Sequence, residues 1–340
     1  MYTIDMPLSK SYQIIIKDNL LREIGAEINK IYKNKNIYII TDERVANFYL
    51  EDVKNALSSF SVQAVVIKGY EESKSLETYK EVCEKLIDLG AVRGELLVAL
   101  GGGVIGDLVG FIASTLYRGM PFVQIPTSLL SQVDSSIGGK TGIDFYGRKN
   151  ILGAFNQPEL VLIDPQVLKT LPSEELKNGF GEMVKHALIG SKELFDLLKE
   201  NKLVVTEKVI YHNLMIKRSF VLADEFDNGE RMKLNFGHTF GHIIEMKHNK
   251  LHGQAVIDGI LCILNYGIDH KLVDEKLKKE VINLYETIGL DFTQYDYNEF
   301  IKDIKFDKKN IAKKINLILV DEVGHCLIHS VKEEELRWKY

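Results

Sequence analysis

The second half of the chain is dense in groups that can bind a metal ion. His238 and His242 stand at i and i+4 in HTFGH, on one face of a helix, and His248 and His252 repeat that spacing. Glu182 and Lys185 stand at i and i+3 in GFGEMVKH, followed by His186. A carboxylate and imidazoles held on helices are donors for a catalytic Zn²⁺, which takes three protein ligands and leaves a position open. Spacing alone pairs His238 with His242 as ligands. A second group is cationic: Arg118, Lys140, Lys149, Lys185, Lys217 and Arg231 each stand beside glycine, asparagine or apolar residues. Cations in such settings point to a pocket holding phosphate and carboxylate, where charge-assisted bonds are strongest. A third group is glycine. The apolar run Leu96–Leu100 leads into Gly101, Gly103 and Gly106, the G-x-G-x-x-G spacing. That pattern supplies a tight turn, close backbone approach to a pyrophosphate and N–H groups at a helix start.

These groups need elements to hold them. Residues 12–16, 36–41, 62–67 and 95–100 read as strands; 18–32, 45–58 and 75–90 read as helices, the last closed by Gly90. The alternation predicts an N-terminal Rossmann-like parallel sheet covered on both faces, with ligands beyond the carboxyl ends of its strands. Asp42, the Glu71–Lys74 segment and the Gly101 turn all fall at such ends. After Leu171-Pro172 helical periodicity dominates, over 173–200, 203–225, 231–248, 253–270 and 274–288, and 315–320 with 325–330 reads as a short strand pair. The expected fold class is α/β. An NAD-binding α/β domain covers 1–171 and a mainly helical, metal- and substrate-binding domain covers 172–340, with the active site expected in the cleft between them.

Composition narrows the function. A length of 340 residues suits two domains, and 45% hydrophobic with 27% charged residues is ordinary for a globular protein. The net charge of −5 gives no case for nucleic-acid binding, so an anionic ligand must be held by local cations. The opening MYTIDMPLSKSYQIII lacks the basic region, apolar run and small-residue cleavage site of a secretory signal. No stretch has the length and apolarity of a transmembrane helix, so the expectation is a cytoplasmic protein without a membrane partner. Cys83, Cys262 and Cys326 lie far apart with no C-x-x-C spacing, which fits buried thiols in a reducing compartment.

GGGVIGDLVGFIASTLYRG, QIPTSLLSQVDSSIGGKTGID, GRKNILGAFNQP, GFGEMVKHALI, ERMKLNFGHTFGH and LHGQAV together resemble the 3-dehydroquinate synthases, sugar-phosphate cyclases of the shikimate pathway. The resemblance runs from about Asp42 to Gly324. It implies NAD⁺ and a divalent metal, zinc or cobalt in its place. The metal ligands it implies are Glu182, His238 and His252, in place of the pair that spacing suggests. The NAD⁺ contacts fall on Asp42, Glu71, Lys74, the turn Gly103, Val104, Ile105, Gly106 and Asp107, on Thr127, Ser128, Lys140 and Lys149, and on Val167, Leu168, Lys169 and Thr170. The substrate contacts fall on Asp134, Lys140, Asn150, Lys185, Lys217, Arg231, Asn235 and His242, the last also a proton carrier. Arg118 matches a phosphate-binding arginine that the family supplies across a homodimer interface. Lys308 or Lys309 would close the site. The chain departs from the family where Asp-Gly-Glu is replaced by Gly69-Tyr70-Glu71, a change at the adenosine contact.

The implied activity is that of a phosphorus–oxygen lyase on a small sugar phosphate, 3-deoxy-D-arabino-heptulosonate 7-phosphate. Carbon 5 is oxidised transiently, phosphate leaves by β-elimination, the hydride returns, the ring opens and an intramolecular aldol closes the carbocycle of 3-dehydroquinate. This is a step toward chorismate and the aromatic amino acids. The rival readings are a related sugar-phosphate cyclase, a metal-dependent polyol dehydrogenase that would leave NADH behind, and a non-catalytic NAD-binding subunit.

Overall fold

The computed structural model describes residues 1–307 and 314–332, so Lys308 and Lys309 lie outside the described residues. The chain divides into two compact units, Met1–Pro172 with Thr206–Tyr211, and Ser173–Val205 with His212–Tyr340.

The first unit is built on a seven-stranded sheet. Its order is β1 (Tyr2–Met6), β2 (Tyr12–Ile16), β9 (Leu160–Ile163), β6 (Phe122–Pro126), β5 (Leu96–Gly101), β3 (Asn36–Asp42) and β4 (Ser61–Ile67). Only β1 and β2 pair antiparallel. The central strands are continuous apolar runs because both of their faces are buried. Ile37 and Ile39 of β3 join Ile24, Ile28 and Val53 on one face; Tyr38 and Ile40 join Val82, Leu108 and Ile112 on the other. The first face is thus covered from α1 (Ile24–Ile31) and from α2 (Glu43–Val45) and α3 (Glu51–Ala56), which a π turn separates. The second is covered from α4 (Leu76–Asp88) and α5 (Gly103–Thr115). From β3 the chain moves outward to β4, whereas from β5 it moves the other way to β6. The order reverses between β3 and β5, and such sheets take ligands at the carboxyl ends of the strands flanking that point. Thr41 lies opposite Leu100, so Asp42 and Gly101 end side by side. A separate hairpin joins β7 (Lys140–Phe145) to β8 (Arg148–Phe155).

The second unit holds α6 (Ser173–Gly190), α7 (Lys192–Asn201), most of α8 (Glu207–Ala223), α9 (His238–His248), α10 (His252–Asp269), α11 (Glu275–Ile288) and α12 (Ile301–Asp307), with the antiparallel ribbon β10 (Lys314–Glu322) and β11 (His325–Lys332). Helix α10 is buried almost throughout and packs on α6 and α9. No helix among the described residues is long and apolar enough to cross a membrane.

Several elements differ from the sequence pattern. The helix expected over 173–200 is broken by Ser191, whose hydroxyl accepts from Leu194 N at 3.0 Å and starts α7. The helix expected over 231–248 is broken by Gly237, with φ +79°, between a 3₁₀ turn at Glu230–Asn235 and α9. Strands β1, β6 and β9 and the β7–β8 hairpin were not among the expected elements. The three strands run only four or five residues each, too short to establish a period.

Candidate active site

In the first unit the glycine turn opens α5. Gly102 is its N-cap, and Gly103, Val104 and Ile105 present the N–H groups that a helix start leaves without intrahelical partners. Gly106 N donates to Gly102 O at 3.0 Å. Ile105 sends its side chain into the core, so only its backbone can serve a ligand. A Cβ at Gly103 would stand 3.0 Å from Ser135 Oγ, and one at Gly102 would stand 3.4 Å from Ser128 Oγ. Thr127, at the end of β6, donates its N–H to Gly101 O at 3.0 Å. Asp42 is buried at the end of β3, where its Oδ1 accepts from Arg44 N at 2.9 Å and Val45 N at 3.0 Å.

Lys74 ties this region together. Its buried ammonium donates to Asp107 Oδ2 at 2.8 Å and to Asn150 Oδ1 at 2.5 Å. Burial opposes the charge, but Asp107, together with Glu71 and Asp144, outweighs it and raises the ammonium above its ordinary pKa. Asn150 adopts φ 54° on β8, and its N–H donates to Asp144 Oδ1 at 2.8 Å, while Asp144 N donates to Lys74 O at 2.7 Å. One ammonium thus joins two residues expected at the cofactor to one expected at the substrate. Lys149 Nζ lies 4.0 Å from Glu71 Oε1. Lys140 opens β7, and Asp134 lies in a π turn at Ser131–Ser135. Val167, Leu168, Lys169 and Thr170 form a 3₁₀ turn that contacts Tyr49: the Tyr49 hydroxyl donates to Val167 O at 2.9 Å and lies 2.6 Å from Thr170 Oγ1. Val167 and Leu168 bury their side chains, so that turn can offer a ligand only backbone at those two positions.

Arg118 is elsewhere. It follows α5 at the end opposite the glycine turn, in a 3₁₀ turn at Leu116–Arg118. Thirteen helical residues at 1.5 Å each separate the two ends by roughly 20 Å. Tyr117 and Arg118 both take left-handed backbone, φ 53° and 61°, a cost that structures keep mainly at functional positions.

In the second unit the helices carrying the metal-donor candidates meet at glycine. A Cβ at Gly253 would lie 1.8 Å from Asn178 O, and one at Gly181 would lie 2.3 Å from Gly253 O. The next residue on α6 is Glu182 and the preceding residue on α10 is His252, so the crossing itself sets them face to face. On the other side, a Cβ at Gly259 would lie 2.1 Å from Gly237 O and 2.6 Å from Gly241 N, which seats α9 and its His238 and His242 against α10. We expect Gly253→Ala to cost at least about 1–3 kcal/mol of stability by overpacking. It should also weaken divalent-cation affinity by roughly tenfold or more by parting Glu182 from His252. Thermal melts and metal titration check this, and wild-type values in both would contradict it.

Donor atoms of Glu182, His238 and His252 lie within 4.8 Å of one another. Glu182 Oε1 is 3.1 Å from His252 Nε2 and 3.4 Å from His238 Nε2. The Nδ1 atoms are tied behind: that of His238 donates to Phe236 O at 3.1 Å, and that of His252 to Glu245 Oε2 at 3.0 Å. With Nδ1 carrying the proton, each neutral ring turns an Nε2 lone pair toward a buried carboxylate. That arrangement is repulsive unless positive charge stands between the donors, so the residues present fit a divalent cation. Without a metal a proton takes that place. Burial pushes the His252 imidazole down, but Glu182 and Glu245 overcome it and bring its pKa up to about 10. Burial likewise works against ionised Glu182, yet Lys185 and then His238 hold its carboxyl well below the ordinary range. Lys185 pairs with Glu182 one turn along α6, and both are buried.

The His242 ring centroid lies 5.2 Å from that of His238 and 6.1 Å from that of His252, beside the donor group. Desolvation, and then His238 and His252, hold its imidazole below the ordinary value, although water reaches part of the ring. Lys217 is buried on α8, and His186 Nδ1 lies 3.0 Å from Asn213 Oδ1 one turn before it. Arg231 is buried in the 3₁₀ turn, where its Nη1 donates to Glu225 O. Asn235 ends that turn and is exposed.

Sequence reasoning gave no role to Glu245, noted only as the start of the short loop to His252, or to Asn178. Glu245 fixes the His252 ring, and its only signal was a position three residues after His242. Asn178 caps α10 from a neighbouring helix, accepting from Gly253 N at 2.6 Å; no local pattern marks such a cap.

Comparison with known proteins places the chain. Residues 64–178 match the family profile described as 3-dehydroquinate synthase N-terminal, and residues 179–310 match 3-dehydroquinate synthase C-terminal. The chain is 42% identical over 339 residues to a 3-dehydroquinate synthase of Streptococcus gordonii, with 96% of each chain covered. Among solved structures, it is similar to ValA, a 2-epi-5-epi-valiolone synthase from Streptomyces hygroscopicus with NAD⁺ and Zn²⁺ bound, at TM-score 0.84 and 27% identity over 96% of this chain and 95% of that one. A 2-deoxy-scyllo-inosose synthase shares the fold at TM-score 0.88 and 22% identity, with 98% of each chain covered. The two profiles and the near full-length identity establish that the chain belongs to the 3-dehydroquinate synthase family.

Proposed function

We propose that the chain converts 3-deoxy-D-arabino-heptulosonate 7-phosphate to 3-dehydroquinate and phosphate, using NAD⁺ and a divalent cation held by Glu182, His238 and His252. When bound, NAD⁺ takes and returns the hydride of carbon 5, and the cation polarises the oxygen on that carbon. The observation that carries this reading is the donor group with both Nδ1 atoms tied back and Lys185 paired to its carboxylate, in a chain 42% identical to a 3-dehydroquinate synthase.

The remaining work falls to side chains of this protein. The N–H groups of Gly103, Val104 and Ile105 receive the pyrophosphate, and Asp42 the adenosine ribose. Lys74 locks Asn150 to Asp107, so a substrate hydroxyl at Asn150 is placed relative to the cofactor turn. Lys217 and Arg231 supply charge-assisted bonds to carboxylate and phosphate. His242, held neutral beside the donors, accepts and returns a proton. Lys140, Lys149 and Asp134 supply polar groups from the first unit, and Val167–Thr170 serves the cofactor through its backbone.

The protein acts as a cytoplasmic homodimer on this reading. The roughly 20 Å length of α5 keeps Arg118 from its own glycine turn. Arg118 and Phe155 line one shallow depression, and Phe155 is an exposed aromatic side chain beside it, a surface that suits a partner subunit. Three unpaired cysteines agree with a reducing compartment.

The test is phosphate release from the heptulosonate phosphate. Release should require NAD⁺ in catalytic amount and a divalent cation, with no net NADH. Stoichiometric NADH would instead indicate a dehydrogenase, and preference for another sugar phosphate would indicate a different cyclase.

A further inference from the structure

The Gly69-Tyr70 pair has a structural counterpart at Arg44. Gly69 packs against Asp42 so closely that a Cβ there would stand 2.6 Å from Asp42 Cβ and Cγ. A side chain at position 69 would therefore displace the carboxylate that caps α2. The next residue, Tyr70, has extended backbone, φ −120° and ψ 162°, and its carbonyl accepts from Ser73 N at 2.9 Å to open the turn that leads to Lys74. The residue is 59% exposed, which leaves its ring open to a ligand. Arg44 backs one face of that ring. Its guanidinium carbon lies 5.3 Å from the ring centroid, and its Nη2 donates to Gly69 O. The Arg44 backbone is fixed at the helix start by Asp42, which accepts from its N–H at 2.9 Å.

We infer that Tyr70, backed by Arg44, is the stacking face for the adenine of the bound dinucleotide. The inference rests on the NAD⁺ reading above. Geometry places it there: β5 ends in the glycine turn, β3 beside it ends in Asp42, and β4 beside β3 leads to Tyr70. Strands lie about 4.8 Å apart, so the end of β4, three residues before Tyr70, stands roughly 10 Å across the sheet from the end of β5, with Asp42 at the end of β3 between them. An aromatic face that is open on one side and cation-backed on the other suits a purine, which stacks without needing a hydrogen-bond code.

The test is calorimetric titration of the full-length, zinc-loaded protein with NAD⁺, ADP-ribose and nicotinamide mononucleotide. Tyr70→Ala should weaken NAD⁺ and ADP-ribose by the same factor, about tenfold, and leave nicotinamide mononucleotide unchanged. Tyr70→Phe should bind like wild type, and Arg44→Met should lose affinity in the same direction by a smaller factor. Unchanged ADP-ribose affinity in Tyr70→Ala overturns the inference, as does an equal loss for nicotinamide mononucleotide. If the wild type itself bound no NAD⁺, the cofactor reading would fail, and the stacking face with it.

Discussion

His252→Ala is expected to lose its divalent cation and to lower kcat by roughly a thousandfold or more. The ring is one of three donors, and a ligand should matter more than the surrounding groups, whose loss typically costs about 10–100-fold in metal affinity. The cleaner readout does not involve turnover. Zinc at a hundred times its dissociation constant should stabilise the wild type by about 2.7 kcal/mol, and the variant should show no such shift. Glu182→Gln should abolish the same shift and also destabilise the metal-free protein, because the buried Lys185 loses its counter-charge. Glu245→Gln, which keeps a group against His252 Nδ1, should reduce affinity by a smaller factor. Full zinc occupancy in His252→Ala would refute the ligand assignment. Retention of zinc in His242→Ala is expected, since that ring stands beside the donor group rather than within it.

How far the sequence reaches can be judged at this same site. Helical spacing proposed His238 with His242, because i and i+4 share a face. Yet the donors that converge come from three helices, and no period within one segment can report a crossing between segments. What makes the crossing legible afterwards is glycine. GFGE, FGH and LHG each carry a glycine beside a donor, and Gly181, Gly237 and Gly253 are the points where α6, the start of α9 and α10 come backbone to backbone. The parallel sheet was visible because β3 and β5 are buried on both faces and therefore read as unbroken apolar runs. The hairpin β7–β8 was not. Its residues mix glycine and charge with the buried Ile143 and the exposed Phe145, Ile151 and Phe155, so no strict alternation marks it as a strand pair. Asp42 was legible as a strand-end carboxylate, but the bond from the Arg44 side chain to Gly69 O is a tertiary contact that no local pattern encodes.

That hairpin and Arg118 lead to the second large effect, a gain of activity from two inactive proteins. Arg118→Ala and His242→Ala homodimers should each be nearly inactive if Arg118 completes the partner's phosphate site. In a two-fold symmetric dimer each Arg118 serves the opposite subunit. A mixed dimer then has one site with both substitutions and one with neither. Random reassortment of equal amounts makes half of the dimers mixed, each with one intact site of two, so the pool should regain about a quarter of wild-type activity. If Arg118 instead served its own subunit, both sites of every mixed dimer would be damaged and the pool would stay inactive. The second outcome would require Arg118 to reach the glycine turn of its own chain across roughly 20 Å of α5, several times the reach of an arginine side chain. Co-expression with two affinity tags isolates the mixed species, in which activity should rise to about half of wild type. Neither substitution removes a buried core residue, so recovered activity reads the exchange of one side chain across the interface.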